Sequence, residues 1–199
     1  MDRFLDLIPR GRPASILDVG GYEYFWLDVW DDRCQNVSIT LLNLTAQSLT
    51  GKIPAVSCSG DARDMSCFHD RQFDLCFSNS VIEHVGTFGD QVRMAREIKR
   101  VAEGYFVQTP YRYFPIEPHF HFPAWAQLPV SVRVALHQRF DLGYMPRESD
   151  WIKNLSDIDQ IRLISIREMK ALFPDGYLYK EKLGPITKSL ISIRGIRGI

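Results

Sequence analysis

Nothing in this sequence pairs its cysteines. The four of them, Cys34, Cys58, Cys67 and Cys76, show no C-x-x-C spacing and lie mostly in apolar or strand-like surroundings. That pattern argues against a disulfide framework, offers no thiolate cage for a metal, and suits reduced thiols in a cytoplasmic protein. Net charge is also missing: Lys plus Arg and Asp plus Glu stand at 24 each, and no basic run carries interleaved aromatics. A nucleic-acid partner or an anionic membrane surface is therefore not expected. No apolar stretch approaches the length of a bilayer span, and Met1 to Pro9 alternates charged with apolar residues where an export signal would carry a continuous apolar core. What is present is a globular composition, 45% apolar and 24% charged over 199 residues. That length fills one core and is short for two, so residues 1–199 are expected to form a single domain.

The chain is organised around Ile16-Leu17-Asp18-Val19-Gly20-Gly21-Tyr22-Glu23. An apolar strand that ends in an acid and a glycine pair can hand a small ligand to the N–H groups of the next helix. Phe25, Trp26, Val29 and Trp30 then mark one apolar face of a short helix, with the tryptophans read as core. Val37–Leu42, Ala55–Cys58, Phe73–Phe77 and Gly104–Gln108 read as further strands, ending at Asn43, at Ser59-Gly60-Asp61, at Ser78-Asn79-Ser80 and at Thr109-Pro110. Between the last two runs, Phe88, Val92, Ala95 and Ala102 trace a long amphipathic helix whose Arg93, Arg96, Lys99 and Arg100 read as a solvated face. Strands alternating with helices imply right-handed crossovers and a mainly parallel sheet. Ligands of such sheets bind beyond the carboxyl ends of the strands, so Asp18–Gly21, Asn43, Asp61 and Ser78–Ser80 should converge on one crevice.

The composition then shifts. Tyr105 to Trp151 holds eleven of the 24 aromatics, together with His119 and His121, and prolines at 110, 115, 118, 123 and 129 forbid a regular element until a helix from about Val130. This insertion, about 110–150, reads as a substrate lid, or else as material packed on the core. Ser165-Ile166-Arg167-Glu168 has capping-box spacing and opens a helix to about Phe173, after which Leu178–Leu183 and Thr187–Ile193 form a terminal hairpin.

Ile16-Leu17-Asp18-Val19-Gly20, Gly60-Asp61-Ala62, the run from Phe73 through Ser78-Asn79-Ser80-Val81-Ile82-Glu83-His84-Val85 and the terminal strand pair together resemble a class I S-adenosylmethionine-dependent methyltransferase. The likeness is to the small-molecule, type 11-like branch, and Gln108-Thr109-Pro110-Tyr111-Arg112-Tyr113-Phe114-Pro115 is similar to sequences there. It implies a Rossmann-like three-layer α/β sandwich with a seven-stranded, mostly parallel sheet whose last strand is antiparallel. It implies S-adenosylmethionine as cofactor, with Asp18 and Gly20 beside its methionine part and Gly20 and Gly21 giving it room. Asp61 would accept from the adenine amino group, Ala62 would contact the ring, and Ser78 and Asn79 would line the floor near the sulfonium. Two departures stand out: Tyr22 follows Gly21 where the family has another glycine two residues after the first, and Asn43 replaces the acid that clamps the ribose hydroxyls. An amide accepts one hydroxyl proton without the strength of a carboxylate.

Methyl transfer to a hydroxyl benefits from a general base with a pKa near neutral. His84 is the first candidate, with Glu83 orienting its ring, and His119 and His121 are alternatives from the insertion. The acceptor is expected to be a small sugar-like or phenolic molecule. The competing reading is a noncatalytic scaffold of the same fold; a nicotinamide-dependent oxidoreductase is disfavoured because G-x-G-x-x-G is absent.

Overall fold

The computed structural model describes residues 1–196, and its centre is one seven-stranded sheet. The strands are β1 (Ala14–Val19), β2 (Val37–Asn43), β3 (Ala55–Ser59), β4 (Phe73–Asn79), β5 (Ala102–Pro110), β6 (Tyr177–Leu183) and β7 (Ile186–Arg194), in the spatial order β3-β2-β1-β4-β5-β7-β6. Strands β1 to β5 pair in parallel, and β7 runs antiparallel to both its neighbours. The single reversed strand matches the expectation for the last one. The terminal hairpin inserts β7 inside the sheet and leaves β6 at the edge.

Helices α1 (Asp2–Leu5), α2 (Glu23–Val29), α3 (Phe88–Val101), α4 (Val130–His137), α5 (Trp151–Asp159) and α6 (Ile166–Leu172) complete the fold. Because successive residues of a strand face opposite ways, β1 sends Ile16 into one core with Phe4, Trp26 and Phe77, and Leu17 into another with Met94, Ile98 and Met169. Both faces are thus covered, and the central strands read as continuous apolar runs for that reason. Trp26 is fully buried, as expected of a core residue. The capping box at Ser165 and Glu168 opens α6, and a second one, Thr87 with Asp90, opens α3. Arg93 and Arg96 are exposed as expected, whereas Lys99 and Arg100 are less solvated than the sequence implied: Arg100 reaches Glu97, Asp70 and two backbone carbonyls, and Lys99 donates to the Leu172 carbonyl.

The insertion leaves the sheet at Tyr111 and returns at Ile164, where the two residues form an isolated parallel bridge. It therefore extends past the expected limit near residue 150 and includes α5. Its aromatics build a core of their own, in which Phe120 stacks on Trp125 beside Val134, Leu142 and Ile158. Gly143 (φ +56°) makes that packing possible, since a Cβ there would lie 2.6 Å from the His119 carbonyl oxygen. Among the described residues no helix is long and apolar enough to cross a membrane.

Candidate active site

The strand order reverses between β1 and β4, and a pocket of about 350 Å³ opens there at the carboxyl ends of the strands. Its walls include Gly20, Asn43, Asp61, Ala62 and His84, so five of the residues singled out in the sequence meet in one crevice.

Gly20 turns the chain at φ +79°, with Val81 where a side chain would go: a Cβ would be 2.5 Å from Val81 Cγ2. Gly21 is required more sharply, because its Cβ would fall 1.7 Å from Asp18 Oδ2. The space freed by this glycine is taken by the protein's own carboxylate. Asp18 itself is 1% exposed; its Oδ2 accepts from the Trp26 indole at 2.7 Å, while Oδ1 has no partner. Burial, opposed by the Trp26 bond, raises its pKa to about 7. Ser78 on β4 is another buried group whose hydroxyl has no partner, and Asn79 is exposed at the strand end; neither lies in the pocket wall, nor do Asp18 and Gly21. Tyr22 does not crowd the turn: its half-exposed ring leans outward and stacks on Tyr24 at 5.5 Å.

Asn43 donates from Nδ2 to the Gly21 carbonyl at 2.9 Å, and Gln47 donates to the same oxygen at 3.0 Å. Two amides thus pin the glycine loop, and the side-chain oxygen of Asn43 keeps its accepting capacity. Asp61 is gripped by Arg63 through Nε at 2.9 Å and a terminal nitrogen at 2.6 Å, which holds its carboxyl below the usual range. A carboxylate has about four accepting positions, so an adenine amino group finds one beside the arginine. The Gly20 turn, the accepting oxygen of Asn43 and the Asp61 carboxylate, all in the pocket wall, fit a polar, nucleoside-bearing cofactor.

His84 ends a 3₁₀ turn (Ile82–His84) after β4, and its Nε2 meets His119 Nε2 at 3.2 Å. His119 Nδ1 lies 2.6 Å from Glu117 Oε1. Glu117 is buried, and its other oxygen accepts the backbone N–H groups of His119 at 2.8 Å and Phe120 at 2.7 Å. The two histidines are pushed apart in proton affinity. The walls of the cleft and then His119 hold His84 below its ordinary value; burial acts on His119 in the same direction, but Glu117 and the charge of Glu83 overcome it and raise that ring.

Glu83 does not orient His84 by a hydrogen bond. Its Oε2 accepts from Thr109 at 2.9 Å, its Oε1 has no partner, and burial lifts its pKa to about 7. The carboxylate that holds a histidine here is Glu117, which the sequence reading passed over. His121 turns away and packs on Tyr144 at 4.7 Å. Glu83, His84 and His119 also bring one oxygen or nitrogen each within 4.8 Å of one another, a grouping that the sequence, read as having no metal site, did not suggest. The contact between the two rings accounts for one of the three pairs in that group, and Thr109, outside it, takes one Glu83 oxygen.

Residues 11–107 match a family described as a methyltransferase domain, type 11. An uncharacterized protein of Mycobacterium tuberculosis is 32% identical over 69 residues, which cover 35% of this chain and 24% of that protein; the match therefore spans about a quarter of the relative's length. Among solved structures, a SAM-dependent methyltransferase of Methanosarcina mazei superposes with a TM-score of 0.56 at 13% identity, covering 98% of each chain. A chain of Rhodobacter sphaeroides described as a Zn-dependent alcohol dehydrogenase gives 0.62 at 12% identity, covering 99% of this chain and 90% of that one. Likeness at such identities speaks for the fold. The matched domain over residues 11–107, the reversal-point pocket and the Asp18-Val19-Gly20 strand end agree, and together they are consistent with a class I S-adenosylmethionine-dependent methyltransferase of the type 11 branch.

Proposed function

We propose that this protein methylates a hydroxyl group of a small molecule, with His84 as the general base and His119 with Glu117 as the store for the proton. The observation that carries the reading is the contact between two histidine nitrogens whose proton affinities are displaced in opposite directions at the edge of the cofactor pocket. S-adenosylmethionine supplies the electrophile, a methyl group on a sulfonium. The residues then position the acceptor oxygen in line with the methyl carbon and take up its proton. As the new C–O bond forms and the S–C bond breaks, the hydroxyl proton passes to His84. A neutral His84 is available for this near pH 7 because its pKa is lowered. The proton moves on to His119, where Glu117 stabilises the imidazolium.

Methyl transfer from labelled cofactor to a panel of sugars and phenols tests this reading, run with wild type and His84→Gln. The variant is expected to bind S-adenosylhomocysteine as wild type does and to turn over roughly 10²- to 10⁴-fold more slowly. The wild-type rate should rise with pH through a value below the ordinary histidine pKa of about 6.5. Full activity in the variant would remove His84 from the chemistry.

A further inference from the structure

We propose that the acceptor carries an anionic group, a carboxylate or a phosphate, held by Arg112 and Arg133 in a second cavity beside the histidines. The inference rests on the methyl-transfer reading above and adds the substrate class. The cavity, about 580 Å³, lies between residues 86–88 and the insertion. That size suits a sugar or a substituted aromatic ring. Phe120 and Trp125 give it an apolar wall, and Arg112, Arg133 and Arg162 reach it from the polar side.

The three arginines differ in what they already hold. Arg162 is committed, to Gln91 at 2.6 Å and to Glu168, with its guanidinium over the Phe88 ring. Arg112 and Arg133, both half-buried, form no ion pair among the described residues, and Arg133 Nε is buried with no acceptor at all. A buried donor without a partner costs free energy that a bound acceptor would recover. The two guanidiniums also feel each other: burial and then the charge of Arg112 oppose the charge on Arg133, while Asp159 favours it. Asp159 lines the same cavity and pairs with neither arginine. The other carboxylate there, Glu117, has both oxygens taken by His119 and Phe120. Two like charges and an unused N–H fork facing one cavity form a receptor for a planar or tetrahedral oxyanion.

The cavity also lies where an acceptor must be. Glu117 lines it and holds His119, which touches His84 in the wall of the cofactor pocket. Val85 lines one space and its neighbour Gly86 the other. An acceptor anchored at the arginines would extend its hydroxyl toward the two rings.

The test is calorimetry on the full chain saturated with S-adenosylhomocysteine, using galacturonate, inorganic phosphate and neutral galactose as probes. At least one anion is expected to bind saturably and galactose much more weakly. Arg112→Gln and Arg133→Gln should each weaken the anion about 10- to 100-fold, with Arg133→Lys in between and S-adenosylhomocysteine affinity unchanged. Which anion responds separates a carboxylate from a phosphate subsite. Anion affinity unchanged in both glutamine variants, with their melting curves intact, overturns the proposal, as does the lack of saturable binding of either anion at millimolar concentration. Arginine-dependent binding of galacturonate without methylation of its hydroxyls supports the subsite and counts against the hydroxyl reading, so the two fail separately.

Discussion

Replacing Glu117 by Gln tests the proton store directly. The change keeps shape and one oxygen, which can still accept the backbone N–H groups of His119 and Phe120. It removes the charge 2.6 Å from His119 Nδ1 and puts an amide donor there. His119 must then present a lone pair at Nδ1, which an imidazolium cannot do. A hydrogen bond to a charged group contributes about 1.5 to 3 kcal/mol, and 1.36 kcal/mol corresponds to one pH unit, so the midpoint of His119 should drop by about one to two pH units. Burial, no longer opposed by Glu117, pulls in the same direction.

Proton NMR of the ring C–H signals against pH reads the midpoint, with His119→Gln fixing the assignment. Stability offers a second reading. His119 is raised in the fold, so its contribution is full below its ordinary value near 6.5 and fades as pH rises through the folded value. The gap in melting temperature between wild type and Glu117→Gln should thus be widest in mild acid and narrow toward alkaline pH. Turnover should fall by about tenfold or more while S-adenosylhomocysteine still binds. An unchanged His119 midpoint, or a stability gap that does not vary with pH, would show that Glu117 merely shapes the loop.

Gly21→Ala places a Cβ 1.7 Å from Asp18 Oδ2, so the loop must move; lower melting temperature and weakened S-adenosylhomocysteine binding are expected, whereas Gly195→Ala, with nothing within 4 Å, should change neither. Asp61→Ala should weaken the cofactor by about 1 to 3 kcal/mol in calorimetry while the fold persists; unchanged affinity would mean that Arg63 is the true partner of that carboxylate. Dialysis against a chelator should leave turnover intact; a loss restored by zinc would reassign Glu83, His84 and His119 as ligands.

The sequence by itself determined the sheet and the meeting of Gly20, Asn43, Asp61 and Ala62 in one crevice. Strand cores such as Ile16-Leu17 and Phe73–Phe77 are legible because burial on both faces leaves continuous apolar runs, and their polar ends stand beside them in the chain. The α6 capping box and the α4 start after Pro129 are local signals too. Helix α5 was missed because Trp151 and Ile152 face outward while polar Asn154 is buried, so its apolar periodicity is scrambled. The contact between the histidines was decided by tertiary structure. His84 and His119 lie 35 residues apart, and they meet because the insertion folds back on the end of β4, where the backbone N–H of Arg162 donates to the Glu83 carbonyl. The same folding-back places Arg133 of α4 in a cavity with Arg112, a meeting of like charges that no local pattern records. Local sequence encodes what neighbours in the chain can bury together, whereas a site assembled across an insertion depends on how that insertion packs.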